Sequence, residues 1–269
     1  KNPDEKPSLI IEHPDVRRML LLQKSMSEGS MSLVFLAAKY YDLENTAETD
    51  EERYKYKTLL DMIIPVAKTY PSEAGNISVS NGIQVLGGYG FCSDFILQQY
   101  YRDIRISSIY EGTTGIQSQD LLGRKITMDN GKGLELLSTE ILKTISQANK
   151  QDELKIYAKK LNEKIDLTQK VLNKLMPLAL KGDYERFLAD ASIFMEFFSL
   201  IIVSWSWLDI GITAKNQLEK NHYDSALLKG KLEAMKYFFS YELPKTTGLA
   251  EVLMNLSDIT IKKEEDYLS

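Results

Sequence analysis

The chain has few of the residues that form disulfides or hold metals. Its 269 residues include one cysteine, Cys92, and two histidines, His13 and His222. A single cysteine cannot form an internal disulfide, and one cysteine with two distant histidines lacks the ligand spacing of a zinc site. The sequence therefore predicts neither a disulfide nor a bound metal.

Proline and excess positive charge are also scarce. Only seven prolines and fifteen glycines occur, and helix-favouring leucine, lysine, glutamate, methionine and alanine outweigh valine and threonine. The net charge is −5 and the isoelectric point about 5.3, which argues against nucleic-acid binding. We expect an all-α protein of one or two domains.

A long uncharged hydrophobic run is missing. The most apolar stretch, residues 194–212, is interrupted by Glu196 and Asp209 and contains several serines and both tryptophans. Such a stretch is more typical of a buried helix than of a membrane span. Its aromatic side chains predict core packing or, as the alternative, a subunit interface.

The first residues carry no targeting segment. The sequence begins Lys1-Asn2-Pro3-Asp4, without an initiator methionine, a signal peptide or a transit-type leader. We therefore expect a trimmed chain or a piece of a longer protein. We expect a cytoplasmic location.

Apolar residues at three- and four-residue steps predict a series of helices. We place them at residues 14–41, 52–69, 71–86, 94–104, 115–126, 134–149, 152–181, 184–220, 224–241 and 244–256. Pro65 indicates a kink in the second helix, and Pro71 the start of the third. The segment Asp129-Asn130-Gly131-Lys132-Gly133 is the clearest linker. We therefore predict two helical units, residues 1–128 and 134–269.

A glycine-rich break separates two of the helical patterns. It contains Gly87, Gly88 and Gly90. Glycines in a turn let a bound group approach the backbone closely, as at phosphate-binding loops. A helix C-cap followed by a turn explains the same residues without any ligand.

A lone carboxylate, Glu111, lies between Tyr110 and Gly112 just before a predicted helix start. An apolar neighbour raises the pKa of a carboxyl group, and a glycine leaves room for a substrate, so this is a possible setting for a general base. An isolated glutamate of this kind is more often a solvated or capping carboxylate.

Three motifs together resemble the C-terminal helical domain of the acyl-CoA dehydrogenase family. They are Gln-Val-Leu-Gly-Gly-Tyr-Gly-Phe at 84–91, Tyr-Arg-Asp at 101–103 and Tyr-Glu-Gly-Thr at 110–113, in the order and spacing of the family. Residues 13–20 and 113–125 resemble its extended branch, whose additional C-terminal helical domain is similar to residues 134–256. The resemblance implies a C-terminal fragment: an up-and-down helical bundle without its first helix, then a second bundle.

For the parent enzyme, the resemblance implies α,β-dehydrogenation of an acyl-CoA thioester with FAD, a reaction of fatty acid metabolism. A glutamate at the position of Glu111 would remove the α-proton while a hydride passes to the flavin. Some members carry this base on an earlier helix, which this chain does not contain. Tyr110 and Gly112 would contact the substrate.

The resemblance also divides the FAD contacts between two subunits. Gln84, Gly87, Gly88 and Gly90 would contact the FAD of a neighbouring subunit, and Thr113 the FAD of its own. The family is accordingly expected to form a homodimer or higher oligomer. An electron-transfer flavoprotein would accept the electrons.

Domains that precede this region in the family have no counterpart here, so we expect the chain alone to be inactive. Arg102 and Asp103 are predicted to form an ion pair that braces the loop before Glu111. Two alternatives are a helical scaffold or oligomerisation module that keeps the motifs without catalysis, and an acyl-CoA oxidase-like enzyme that reduces oxygen. The intact run of residues 110–113 favours an enzyme.

Overall fold

The computed structural model describes residues 8–220 and 224–261. These residues form helices joined by turns, and no β-strand occurs among them. The all-α fold predicted from the sequence is confirmed. His222 lies outside the described residues.

Two long helices, α1 (Pro14–Asn45) and α2 (Asp50–Leu86), pack against each other. Pro14 occupies the first turn of α1, where a missing backbone N–H costs nothing. The Thr49 hydroxyl caps α2 by accepting a hydrogen bond from the Glu52 N–H at 3.2 Å. The connection between the two helices is therefore shorter than the sequence indicated.

The prediction of separate helices at 52–69 and 71–86 was wrong, because α2 runs through both Pro65 and Pro71. A proline inside a helix removes a backbone donor and crowds the preceding turn, which costs about 3 kcal/mol. Burial of one apolar face along the helix offsets this cost, since most helical stability in proteins comes from packing. The buried residues of this face include Leu59, Met62, Ile63, Val66, Tyr70 and Ala74.

Short helical segments follow α2. In chain order they are a 3₁₀ turn at Gly87–Phe91, α3 (Leu97–Ile104), a 3₁₀ turn at Arg105–Ser108, α4 (Thr114–Gln119) and a π-helical turn at Asp120–Lys125. Lys125 is buried and forms an ion pair with Asp61 of α2. This pair attaches the end of the π-helical turn to α2.

The second half of the chain consists of further helices around one central helix. They are α5 (Lys132–Ala148), α6 (Lys155–Leu180), α7 (Tyr184–Leu188), α8 (Ala191–Lys220), α9 (Ser225–Tyr237) and α10 (Lys245–Asn255), with a π-helical turn at Phe238–Glu242. The single helix predicted at 184–220 is interrupted at residues 189–190. The Asp183 carboxylate caps the short α7 by accepting a hydrogen bond from the Arg186 N–H at 3.3 Å.

Helix α8 is the core of the molecule, as its sequence predicted. It is the one described helix that is long and apolar enough to cross a membrane, and 83% of its most apolar window is buried inside the protein. Trp207 of α8 donates a hydrogen bond to the Ser25 carbonyl of α1 at 3.1 Å. One cluster of buried apolar residues thereby joins both halves of the chain. The division at residues 128 and 134 stays a prediction.

Candidate functional site

Glu111 lies in the irregular segment between the 3₁₀ turn at Arg105–Ser108 and α4. Its φ of 51° is left-handed, a conformation that costs a residue with a side chain about 1–3 kcal/mol. Gly112 follows with a φ of 95°, and a Cβ at this position would lie 2.5 Å from the Gln117 amide nitrogen. Backbone strain of this kind concentrates at functional sites.

The side chains of Tyr110 and Glu111 are both exposed. Tyr110 is 51% exposed, so it does not bury the neighbouring carboxylate as the sequence suggested. The carboxylate instead faces outward from the described residues, where a bound substrate can reach it. Gly112 presents no side chain beside it.

Helix α2 holds the segment that leads to Glu111. The Lys68 ammonium donates a hydrogen bond to the Ser107 carbonyl at 2.6 Å and lies 5.7 Å from the centroid of the Tyr110 ring. The Ser72 hydroxyl bonds the Lys68 carbonyl at 2.7 Å and lies 3.1 Å from the same Ser107 oxygen. One carbonyl of the segment is thus held by two side chains of α2.

Two further contacts extend this attachment to both sides of Glu111. The Asn76 amide lies 3.3 Å from the Ser108 hydroxyl, and the Thr114 hydroxyl donates to the Glu73 carboxylate. Sequence reasoning missed these α2 residues. The four-residue spacing of Lys68, Ser72 and Asn76, which places polar side chains on one face of a helix, was the available signal.

The predicted brace between Arg102 and Asp103 is not found in the part of the chain that the structure describes. Both side chains are exposed, and neither forms an ion pair there. Adjacent residues on a helix point in different directions, so their charged groups do not meet. The α2 side chains perform the bracing that was assigned to this pair.

Thr113 begins α4 as its N-cap. Its hydroxyl oxygen accepts a hydrogen bond from the Ile116 N–H at 3.3 Å, and its side chain is exposed. A hydroxyl that accepts from the backbone still has its own proton to donate. Thr113 can therefore bond a polar ligand atom near Glu111 while it caps the helix.

The glycine-rich turn lies at the end of α2. Gly87 has a φ of 60°, and its N–H donates to the Gln84 carbonyl. A Cβ on Gly87 or Gly88 would meet no atom within 4 Å, and both residues are exposed. A large group such as a dinucleotide can approach this bare backbone, which fits the predicted FAD contact.

Gly90 has a different environment from the other two glycines. It is buried, and a Cβ on it would lie 2.5 Å from the Ile83 carbonyl oxygen. Its observed contact is therefore with α2, and it sets the shape of the turn. Gln84 is exposed one helical turn earlier.

The structure places the two groups of predicted site residues apart. Ser72 adjoins the Glu111 segment, and Gly87 ends the same helix fifteen residues later. At a rise of 1.5 Å per residue this separation is about 22 Å. Glu111, Thr113, Tyr110 and Gly112 form one group, and Gln84 with the glycine turn forms the other.

Two family models match this chain. The model described as the acyl-CoA dehydrogenase C-terminal domain matches residues 1–126, and the model described as acetyl-CoA dehydrogenase C-terminal like matches residues 137–262. The chain belongs to the acyl-CoA dehydrogenase family. It corresponds to the C-terminal part of an acyl-CoA dehydrogenase with the additional helical domain, as the three motifs indicated.

Curated acyl-CoA dehydrogenases are similar over nearly the whole chain. A butyryl-CoA dehydrogenase of Syntrophomonas wolfei is 32% identical over 94% of this chain and 42% of its own length. A broad-specificity linear acyl-CoA dehydrogenase of Mycobacterium tuberculosis is 31% identical over 95% of this chain and 43% of its own length. The chain therefore spans about two fifths of the length of these acyl-CoA dehydrogenases.

Further similarity comes from a complex and from a solved structure. A subunit of the caffeyl-CoA reductase-Etf complex of Acetobacterium woodii is 38% identical over 36% of this chain and 22% of its own length. An acyl-CoA dehydrogenase from Bacillus anthracis, solved with FAD, has a TM-score of 0.68 with 18% identity, covering 94% of this chain and 44% of that one. At this identity the similarity shows the fold alone.

Proposed function

We propose that the protein to which this chain belongs is an FAD-dependent acyl-CoA dehydrogenase in which Glu111 is the general base. The observation that carries the proposal is the Glu111 segment itself. An exposed carboxylate stands on a left-handed residue beside a glycine with a φ of 95°, and α2 holds the segment on both sides. The names of the similar butyryl-CoA and linear acyl-CoA dehydrogenases support an acyl-CoA substrate.

The residues of this segment and the α2 side chains that hold it have separate roles in proton removal. The Glu111 carboxylate accepts the α-proton of the thioester, and Gly112 would contact the substrate through its backbone, since the Gln117 amide lies where a Cβ would be. Lys68 and Ser72 fix the carbonyl of Ser107 and so limit the movement of the carboxylate. When bound, FAD supplies the oxidising power by accepting the β-hydrogen as a hydride.

The separation of the two site groups supports FAD contacts from two subunits. Thr113 would bind the FAD beside Glu111, and Gln84, Gly87 and Gly88 would bind another about 22 Å along α2, with Gly90 shaping their turn. This arrangement requires a homodimer or higher oligomer. The FAD in the similar Bacillus anthracis enzyme supports the choice of cofactor.

We further propose that an electron-transfer flavoprotein reoxidises the enzyme, which the similarity to an Etf-complex subunit supports. The chain without the remainder of the enzyme is expected to be inactive, because the other walls of the cofactor and substrate sites lie outside it. A cytoplasmic location completes the proposal.

The test uses full-length protein and its Glu111→Gln variant under anaerobic conditions. Acyl-CoA thioesters of different chain lengths should bleach the visible flavin band of the wild type, and the variant should lose at least about a hundredfold in bleaching rate with full flavin content. Equal rates would place the base elsewhere. Protein without flavin would support the scaffold alternative, and rapid reoxidation by oxygen the oxidase.

A further inference from the structure

Two Asn-Gly pairs, Asn81-Gly82 and Asn130-Gly131, occur in the chain in different structural settings. In such a pair the glycine nitrogen can attack the asparagine side-chain carbonyl, because glycine has no Cβ to hinder the approach. The two groups belong to neighbouring residues, so no second molecule has to be brought to the site. The conformation and hydrogen bonds of each pair therefore decide whether it reacts.

The helix α2 protects the first pair. Gly82 is buried inside this helix, where a backbone N–H donates to the carbonyl four residues earlier. The Asn81 side-chain amide donates a hydrogen bond to the Ile77 carbonyl at 2.8 Å. A Cβ on Gly82 would lie 3.1 Å from Leu97 of α3, so there is little room for the backbone to move. Attack at Asn81 therefore requires local opening of α2.

The second pair lies in the turn at Met128–Gly131, which precedes α5. Asp129, Asn130 and Gly131 have φ values of 49°, 55° and 83°, so three consecutive residues are left-handed. A residue with a side chain is strained in this conformation, which favours movement away from it. The Asn130 side chain is exposed and makes no hydrogen bond within the described ranges 8–220 and 224–261. It is therefore able to turn towards the Gly131 nitrogen.

The contacts that hold this turn leave the Asn130 side chain free. The Tyr54 hydroxyl donates a hydrogen bond to the Asp129 carboxylate at 2.8 Å, and the Lys132 N–H donates to the Asp129 carbonyl. Neither contact involves the Asn130 amide or the Gly131 nitrogen. Both Asn130 and Gly131 line a cavity of about 790 Å³, so water has access to the pair.

We propose that Asn130 is a site of spontaneous deamidation. The Gly131 nitrogen forms a bond to the Asn130 Cγ, the Cγ–Nδ2 bond breaks, and the amide leaves as ammonia with the proton of the Gly131 N–H. The product is a cyclic imide, which water opens at either carbonyl to give aspartate or isoaspartate at this position. No oxidant or reductant takes part. The proposal is independent of Glu111 and of FAD.

The reaction changes both the charge and the covalent structure of the turn. Each product places a new carboxylate beside Asp129, and isoaspartate also lengthens the backbone by a methylene group. Gly133 follows closely and packs tightly, because a Cβ there would lie 2.7 Å from the Met62 sulfur of α2. Since the ammonia is lost, the change is permanent and accumulates with the age of the molecule.

The two pairs provide a comparison within one protein. Full-length protein would be incubated at mildly alkaline pH, which favours loss of the backbone amide proton, and sampled over time by proteolysis at acidic pH and mass spectrometry. Asn130 should convert to aspartate and isoaspartate at least about tenfold faster than Asn81, because Asn81 reacts only from the opened helix. In protein unfolded with guanidinium chloride the two pairs should react at similar rates.

Gly131→Ala places a methyl group beside the attacking nitrogen and should slow conversion of Asn130 at least about fivefold. Gly182→Ala is the matched control, since Gly182 has a similar φ of 79° in another turn and a Cβ there meets no atom within 4 Å. It should leave the rate at Asn130 unchanged.

Equal rates at Asn130 and Asn81 in the folded protein would overturn the proposal. The same conclusion would follow if Asn130 stayed intact in the folded protein while the unfolded protein converted. An unchanged rate in Gly131→Ala would also contradict it, because the attack would then not come from the Gly131 nitrogen.

Discussion

Gly112 has a φ of 95° directly after the left-handed Glu111. Two consecutive residues with positive φ thus orient the carboxylate, which does not lie on a regular helix. The motif in the sequence was sufficient to indicate Glu111 as the candidate base. It could not indicate the strain, because the contacts that maintain it come from Lys68 and Glu73 on α2.

Substitution of Gly112 by alanine tests the importance of this conformation. We expect the free energy of unfolding to fall by about 1 kcal/mol, because a residue with a Cβ is strained at this φ, and the new Cβ would also displace the Gln117 side chain. Gly115→Ala is the matched control, since a Cβ there would meet only Thr113, at 3.9 Å. Urea unfolding should separate the two variants, and equal losses would contradict the prediction.

Among the secondary-structure elements, α2 departs most from its sequence prediction. Local rules placed a helix start at Pro71, whereas buried packing maintains a single helix through this residue. The role of Lys68 was also invisible in the sequence. Its partner, the Ser107 carbonyl, lies 39 residues away along the chain, and no spacing rule connects a helix with an irregular segment at that distance.

Lys68→Met removes the donor and keeps most of the length of the side chain. We expect faster amide hydrogen exchange across residues 105–113, because a carbonyl of this segment loses its charged partner. In full-length protein the rate of flavin reduction should fall at least about tenfold at unchanged flavin content. Lys68→Arg, which retains charge and donors, should restore part of this rate.

Lys57→Met is the control for the loss of a positive charge from the same helix, because Lys57 is exposed. It should change neither the hydrogen exchange of residues 105–113 nor the rate of flavin reduction. Faster hydrogen exchange in Lys68→Met with an unchanged rate of flavin reduction would show that Lys68 stabilises the segment without affecting catalysis. Unchanged exchange would show that the other α2 contacts suffice to hold the segment.

At the scale of the whole molecule, the contacts of α8 join the two halves of the chain. Its apolar composition was enough to predict a buried helix. Its contact with α1 was not predictable, because the Trp207–Ser25 hydrogen bond spans 182 residues. Gly29 of α1 permits this contact, since a Cβ there would lie 2.8 Å from Val203 and 2.9 Å from Trp207.

Gly29→Val should therefore destabilise both halves together. Overpacking of a close helix contact costs about 1–3 kcal/mol, and α8 packs against helices of both halves. Far-UV circular dichroism and tryptophan fluorescence should report one shifted unfolding transition in urea. Gly248→Ala is the control, because a Cβ there meets no atom within 4 Å. A loss confined to one of two separate transitions would contradict the prediction.

The attachment of both site groups to α2 has a genetic consequence. If the glycine turn serves the flavin of a neighbouring subunit, every copy of the chain carries parts of two catalytic centres that are held by one helix. An allele that displaces α2 would then damage the centre of a normal partner as well as its own. In cells that express both alleles, mixed oligomers would show less than half of the normal activity, so such an allele would be dominant.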